Sequence, residues 1–300
     1  MASRCEVRVY ARDEATARAW AEAAIGEVRR IERKFSRYRD DSVTAAINRS
    51  AGAAPVDVDD ETAALLDFGA RLHTASGGAF DLTSGVLRRA WDFRSGRVPA
   101  QHEIEALLTL IGWSKVEWER PRLRLPQPGM EIDFGGIGKE YAADRAAAAM
   151  QAHGARRGFV NLGGDVRAFG PQPDGRPWSI GIQHPRDPKD IIAWIRLSDQ
   201  SVATSGDYEK FIMVDGRRYC HIIDPRTGWP VTTVRSATII TPEAWRADGL
   251  STAVFVLGPE KGMELIESLP DVEGIIIDAE GRRSVSGGIK DKLKWLDEEK

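Results

Sequence analysis

Residues 132–150, IDFGGIGKEYAADRAAAAM, place an acid, two adjacent glycines and a lysine directly before an alanine-rich helix. Free N–H groups at a helix start attract anions, and Gly135 and Gly136 allow the backbone to approach whatever is bound. A phosphate is the natural guest. The stretch departs from both common phosphate signatures, however: no Ser or Thr follows Gly138 and Lys139, and Tyr141 replaces the last glycine of G-x-G-x-x-G. A second group, Asp248 and Thr252, is spaced i, i+4, so on a helix over 243–257 a carboxylate and a hydroxyl project from one face. Mg²⁺ suits so sparse a pair, because it takes one or two carboxylates and keeps waters or phosphates as its other ligands. An Asp early in a helix also complements the helix dipole without any metal. A third group is His221, three residues before Asp224 and five before Arg226. Its imidazole can exchange a proton near neutral pH, and the guanidinium can hold two phosphate oxygens. His73, His102, His153 and His184 lack such company and are read as structural.

These residues need elements to hold them. EVRVYAR alternates like a strand, and residues 13–34 return Ala17, Trp20, Ala24, Ile25, Val28 and Ile31 to one helical face. A polar connection with a short helical turn follows, then a helix over about 61–76 that a Gly-Gly pair stops. Another helical region spans 102–110, KVEWE and RLRLP form a hairpin, and MEID is expected as a strand feeding the glycines. Beyond Gly154 the character changes. RGFVNL, DVRAFG, WSIGIQ, IIAWIRL, KFIMV, RRYCHII and RSATII are short runs between turn residues, which predicts antiparallel sheet. Polar clusters interrupt them, NLGGD at 161–165 and ATSGDY at 203–208 among them, and taken singly each has the composition of a plain turn. Two helices, EAWRADGLSTAVFVL and EKGMELIESL, then a strand EGIIID and a charged tail complete the chain. The order predicts an α+β fold of mainly antiparallel sheets flanked by helices. With no repeat and no linker, residues 1–300 are expected to form a single domain of two intimately packed subdomains.

Composition removes several classes of function. The 300 residues carry 42 Lys and Arg against 45 Asp and Glu, a net charge of -3 with no footprint for nucleic acid. Cys5 and Cys220 are too few and too far apart for a disulfide framework or a C-x-x-C site. No run approaches the roughly 18 apolar residues that span a bilayer. The first residues lack a signal-peptide core, so a cytoplasmic location is expected as the sequence stands, or a periplasmic one if an export signal has been removed.

Taken together and in order, FSRYRDDSVTAAIN, SGGAFDLT, IDFGGIGKEYAAD, NLGGD, VATSGDY, HIIDPRTGWP and ADGLSTAVFVLG resemble the ApbE family of flavin transferases over almost the whole chain. That resemblance implies an enzyme that moves the FMN half of FAD onto a Ser or Thr hydroxyl of an acceptor flavoprotein, with Mg²⁺, releasing AMP. It implies metal ligation by the Gly136 carbonyl, Asp248 and Thr252. It implies that Lys139 faces FAD, that Tyr38, Asn48, Asp81 and Ser205 line the flavin site, and that His221, Asp224 and Arg226 lie nearest the diphosphate. His221 is the candidate base, with Asp224 orienting it or serving instead. Lys139→Ala is expected to weaken FAD binding with little loss of stability. Gly138 and Glu140 stand where the family usually has Ala and Gly, which alters the surroundings of Lys139. Two alternatives remain at this point: an FAD pyrophosphatase whose acceptor is water, and a non-catalytic FAD-binding protein. Retention of Lys139, Asp248 and Thr252 disfavours the second.

Overall fold

The computed structural model describes residues 4–296. The first half runs β1 (Cys5–Val9), α1 (Glu14–Phe35), α2 (Val43–Arg49), β2 (Val56–Asp57), α3 (Asp60–Ala75), α4 (Gln101–Leu108), β3 (Glu117–Glu119), β4 (Arg122–Arg124) and α5 (Gly138–Ala152). The second half is mostly strand: β5 (Gly158–Leu162), β6 (Asp165–Phe169), β7 (Trp178–Gln183), β8 (Ile191–Leu197), β9 (Ser201–Gly206), β10 (Phe211–Val214), β11 (Arg217–Cys220) and β12 (Val234–Thr241). It closes with α6 (Ala244–Leu257), α7 (Pro259–Ser268), β13 (Glu273–Asp278), β14 (Arg283–Val285) and β15 (Leu293–Trp295). The expected α+β class holds, and the helix starts follow side-chain chemistry. Asp13, Ser42 and Asp59 accept the amides of Thr16, Ala45 and Thr62 and so begin α1, α2 and α3.

The central sheet has seven strands in the order β1-β5-β6-β9-β12-β13-β14, every neighbour antiparallel. Both of its faces are buried, which alternation along single strands makes visible. On β13, Ile276 packs into the core beneath the helices, whereas Ile275 and Ile277 face a second core shared with the β15-β8-β7 sheet. The molecule is therefore layered as helices, central sheet and outer sheet. The helix α5 lies deep in the helical layer because Ala142, Ala143, Ala146 and Ala147 are buried and small, allowing close approach.

Two local features place the chemistry. The two-residue hairpin Gly163-Gly164 joins β5 to β6 with φ of 71° and 104°, which opposes Leu162 to Asp165. Only glycine takes two successive positive φ values without strain, so NLGGD is indeed a tight turn, and it sets Asp165 at a strand start. The second feature corrects an expectation: MEID is not a strand. Ile132 is fully buried, and its backbone is held by a side chain, the Asn48 amide, which accepts from Ile132 N at 2.7 Å and donates to Ile132 O at 3.0 Å. Asp133 N donates instead to Leu82 O at 2.8 Å. A strand had also been missed, since the polar SVATSG forms β9 at the middle of the sheet.

The Asn48 clamp generates a prediction. Asn48→Ala leaves a buried N–H and C=O unpaired and should cost about 1–3 kcal/mol. Urea unfolding measures this, and a loss near zero would mean that the clamp does not hold the segment.

Candidate functional site

The glycine stretch is a turn braced from several sides. Asp133 accepts Gly135 N at 2.9 Å and forms an ion pair with Arg37. Ile137 N and Gly138 N both donate to Phe134 O, at 3.0 and 2.7 Å. Those leading amides are thereby engaged, so the anion seat at the start of α5 is smaller than the sequence suggested. What the glycines provide is proximity to α6: a Cβ on Gly136 would lie 3.1 Å from Phe80 Cε2 and 3.9 Å from Thr252 Oγ1. Ser205 joins them from β9, its hydroxyl 2.8 Å from Ser251 Oγ and 3.4 Å from Thr252 Oγ1. Asp248 lies one turn earlier on α6, whose start is fixed by Asp144 accepting Trp245 N at 3.1 Å. Gly136 and Ser205 are thus brought to Thr252, with Asp248 one turn away on the same helix.

Beside them is a cluster of charge. Lys139 Nζ donates to Leu162 O at 2.9 Å and forms ion pairs with Asp165 and Glu140. Asp165 also accepts Thr204 N at 2.8 Å. Carboxylate oxygens of Glu140, Asp165 and Asp248 lie within 4.8 Å of one another. Burial disfavours the charged form of each acid, pushing Asp165 up to about 8, Asp248 to about 6 and Glu140 well above its ordinary value. Burial alone would lower the Lys139 pKa, but the charges of Glu140, Asp165 and Asp248 outweigh it and raise it. Lys139 is therefore a tie between α5 and the β5–β6 hairpin, so its removal is not the stability-neutral change expected from the sequence. An all-oxygen donor set short of positive charge suits a hard divalent ion.

The remaining predicted residues divide. His221 Nδ1 lies 3.2 Å from Lys210 O. A carbonyl only accepts, so Nδ1 carries the hydrogen and Nε2 is left as an acceptor. Burial lowers the pKa of His221, keeping it neutral near pH 7. Asp224 does not orient His221, one of the two roles expected of it. Its carboxylate accepts Arg226 N and Nε at 2.9 and 2.8 Å and Arg226 Nη2 at 2.8 Å, so it fixes the guanidinium. Asp81 is buried, accepts Thr83 N, Thr83 Oγ1 and Trp113 N, and pairs with His73. Those partners make it a loop brace, just as Asn48 is a backbone clamp. Tyr38 is 81% exposed, with its hydroxyl 2.8 Å from Arg37 Nη2, which leaves its ring open to a ligand. Glu140 and Asp165 were not assigned as site residues from the sequence. The signal for Glu140 was present, because it shares the buried α5 face with Ala143, Ala147 and Met150 at helical spacing.

An α+β scaffold thus gathers hydroxyl and carboxylate oxygens beside one glycine turn. Comparison with known proteins makes the class particular: residues 1–276 match the ApbE family, and the chain belongs to that family. It is 37% identical to an FAD:protein FMN transferase of Treponema pallidum (strain Nichols), covering 98% of this chain and 86% of that protein. It is 32% identical to a protein of the same name from Escherichia coli (strain K12), covering 77% of this chain and 69% of that one. Among solved structures, the ApbE protein of Thermotoga maritima superimposes with a TM-score of 0.86 at 37% identity, covering 94% of this chain and 93% of that one. The flavin transferase ApbE of Vibrio cholerae gives 0.85 at 30% identity, covering 97% and 96%.

The Lys139 cluster predicts a pH-dependent stability defect. Lys139→Met removes the one ammonium from among three buried acids and should cost about 3–5 kcal/mol near neutral pH. Acids whose folded pKa is raised hold protons that the unfolded chain releases, so their contribution is present at low pH and is lost as pH rises through the folded pKa. With Asp165 near 8 and Asp248 near 6, the defect should shrink between pH 8 and pH 5. Urea unfolding at the two pH values measures it. A defect that is absent, or that grows on acidification, contradicts the assignment.

Proposed function

We propose that this protein transfers the FMN moiety of FAD to a Ser or Thr hydroxyl of an acceptor flavoprotein, in an Mg²⁺-dependent reaction that releases AMP. The observation that carries this reading is the full-length likeness to proteins named FAD:protein FMN transferase. The convergence of Gly136, Ser205, Asp248 and Thr252 supports it with the groups a diphosphate reaction requires. The Asp248 carboxylate, Thr252 hydroxyl and Gly136 carbonyl are the oxygens that would hold Mg²⁺. When bound, the ion neutralises diphosphate charge and makes AMP a better leaving group.

The chain's own residues then do the rest. Tyr38 offers an exposed ring to the isoalloxazine at the rim. Asp224 aims Arg226, whose side chain is 42% exposed, so that a diphosphate can reach the guanidinium. His221, oriented by the Lys210 carbonyl, takes the acceptor's hydroxyl proton on Nε2. As that oxygen bonds to the FMN-side phosphorus, the bond from phosphorus to the AMP oxygen breaks, and AMP leaves with the electron pair.

Incubation with FAD, Mg²⁺ and a candidate flavoprotein, followed by in-gel flavin fluorescence, tests the reading. Release of FMN and AMP without labelling would replace it with a pyrophosphatase. His221→Asn should retain FAD binding but slow transfer by about 10²- to 10⁴-fold. The wild-type rate should fall as pH drops through the lowered His221 pKa, and an unchanged rate in the variant would remove His221 from the mechanism. Asp248→Ala should slow AMP release and labelling at least ~100-fold, because a sparsely held metal loses its side-chain carboxylate. A parent enzyme indifferent to EDTA would refute that assignment.

A further inference from the structure

We propose that His73 is a second cationic ligand for the FAD diphosphate, set beside Arg226 and held by Asp81 as its positioning residue, an inference that rests on the flavin reading above. In the sequence His73 has no charged company; the fold supplies it. From α3, its Nδ1 is shut away from solvent and lies 3.2 Å from Asp81 Oδ2, an ion-pair contact. Three other donors already fix that carboxylate: Thr83 N at 2.7 Å, Thr83 Oγ1 at 2.6 Å and Trp113 N at 3.0 Å. Asp81 therefore orients the imidazole rather than the reverse. Burial opposes its charge, but His73, Thr83 and Trp113 together keep its carboxyl below the usual carboxylate range. An ionised carboxylate only accepts, which puts a hydrogen on Nδ1 and leaves Nε2 as the ring nitrogen for a ligand.

The loop after α3 places this ring at the site. A Cβ on Gly78 would lie 3.5 Å from His73 Cε1 and 3.9 Å from Arg226 Cγ, so the imidazole and the arginine stem flank one bare stretch of backbone. Two residues on, Phe80 lies 3.1 Å from where a Cβ on Gly136 would be. Residues 78–80 thus run from the two cations to the glycine turn that carries the metal-facing carbonyl. Among the described residues, the charged groups that face the imidazole are Asp81 and, across Gly78, Arg226 with its partner Asp224. Asp224 offsets the guanidinium, so a second cation is tolerated beside it. The contact with Asp81 raises the His73 pKa against the effect of burial, and the imidazolium it favours carries a hydrogen on Nε2 as well. A phosphate oxygen accepts a charge-assisted bond from such a group.

Quenching of flavin fluorescence gives the FAD affinity of the full chain without Mg²⁺, at about pH 6 and about pH 9, on either side of the ordinary imidazole range and below that of lysine. A raised His73 pKa keeps the imidazolium at the lower pH, and the charge is lost as pH rises through it. His73→Gln should therefore weaken FAD at least ~10-fold at the lower pH and much less at the higher one. Asp165 and Asp248 titrate in the same window, so the parent-to-variant ratio is the measure. His73→Lys keeps a cation throughout, and its affinity should fall less than the parent's between the two values. A ratio for His73→Gln that is near one at both pH values, or equally large at both, overturns the proposal. If His73→Gln fails to fold, as read from its thermal melt, His73→Lys decides alone: a fall as steep as the parent's overturns the assignment, and a shallower one supports it. A parent that binds no FAD at either pH sinks the flavin reading itself, and this assignment with it.

Discussion

Lys139 sits where three parts of the chain must meet, and its ammonium is what lets them. The start of α5 brings Glu140, the β5–β6 hairpin brings Asp165 and the Leu162 carbonyl, and α6 brings Asp248 within electrostatic reach. Without a cation between them, three acids in a poorly solvated pocket would force either protonation or separation of the elements that carry them. The glycine turn exists in the form it does because α5 must enter this junction at a fixed depth. Phe134 is buried against Phe35, ring centroids 5.0 Å apart, and Asn48 holds the backbone two residues upstream. Helix start, hairpin and site are one mechanical unit.

This arrangement explains why so many conspicuous polar residues turn out to be braces. Asp81, Asn48 and Asp224 each have the residue type of a ligand contact, yet each is bonded to partners within the chain. A site that gathers groups from α5, α6, β6, β9 and the loops between them has to fix irregular backbone without the ladder bonds of helix or sheet. Side-chain amides and carboxylates supply those bonds. The residues left for the ligand are then fewer and less conspicuous: hydroxyls of Ser205 and Thr252, the backbone at Gly136, the Tyr38 ring and one nitrogen of His221.

Legibility in the sequence follows the same division. Periodic segments were readable: the amphipathic α1 and α3, the hairpin of β3 and β4, and the alternating strands of the second half all stand within a few residues of their expected places. The i, i+4 spacing of Asp248 and Thr252 was readable because helical geometry alone fixes it. MEID failed because its alternation competed with a side chain 84 residues away, which no local pattern reveals. SVATSG failed in the opposite sense, since its small polar residues pair with neighbouring strands and with the hydroxyl of Thr238 rather than with solvent. Lys139 was legible as a functional position but not as a tie, because Leu162 and Asp165 become its neighbours only after a two-glycine turn folds them back.

The burial of Glu140 bears on how stability and chemistry are balanced here. Its carboxylate forms an ion pair with Lys139, so one ammonium is shared between Glu140 and Asp165. The four flanking alanines of α5 are small enough to admit close packing and carry no polar atom that competes for the acid. Its partners lie instead on the side of Lys139, Asp165 and Asp248. The Lys139 ammonium draws α5 and β6 together and has Asp248 of α6 within electrostatic reach, so the charge state of the three acids and the rigidity of the junction are coupled through one side chain.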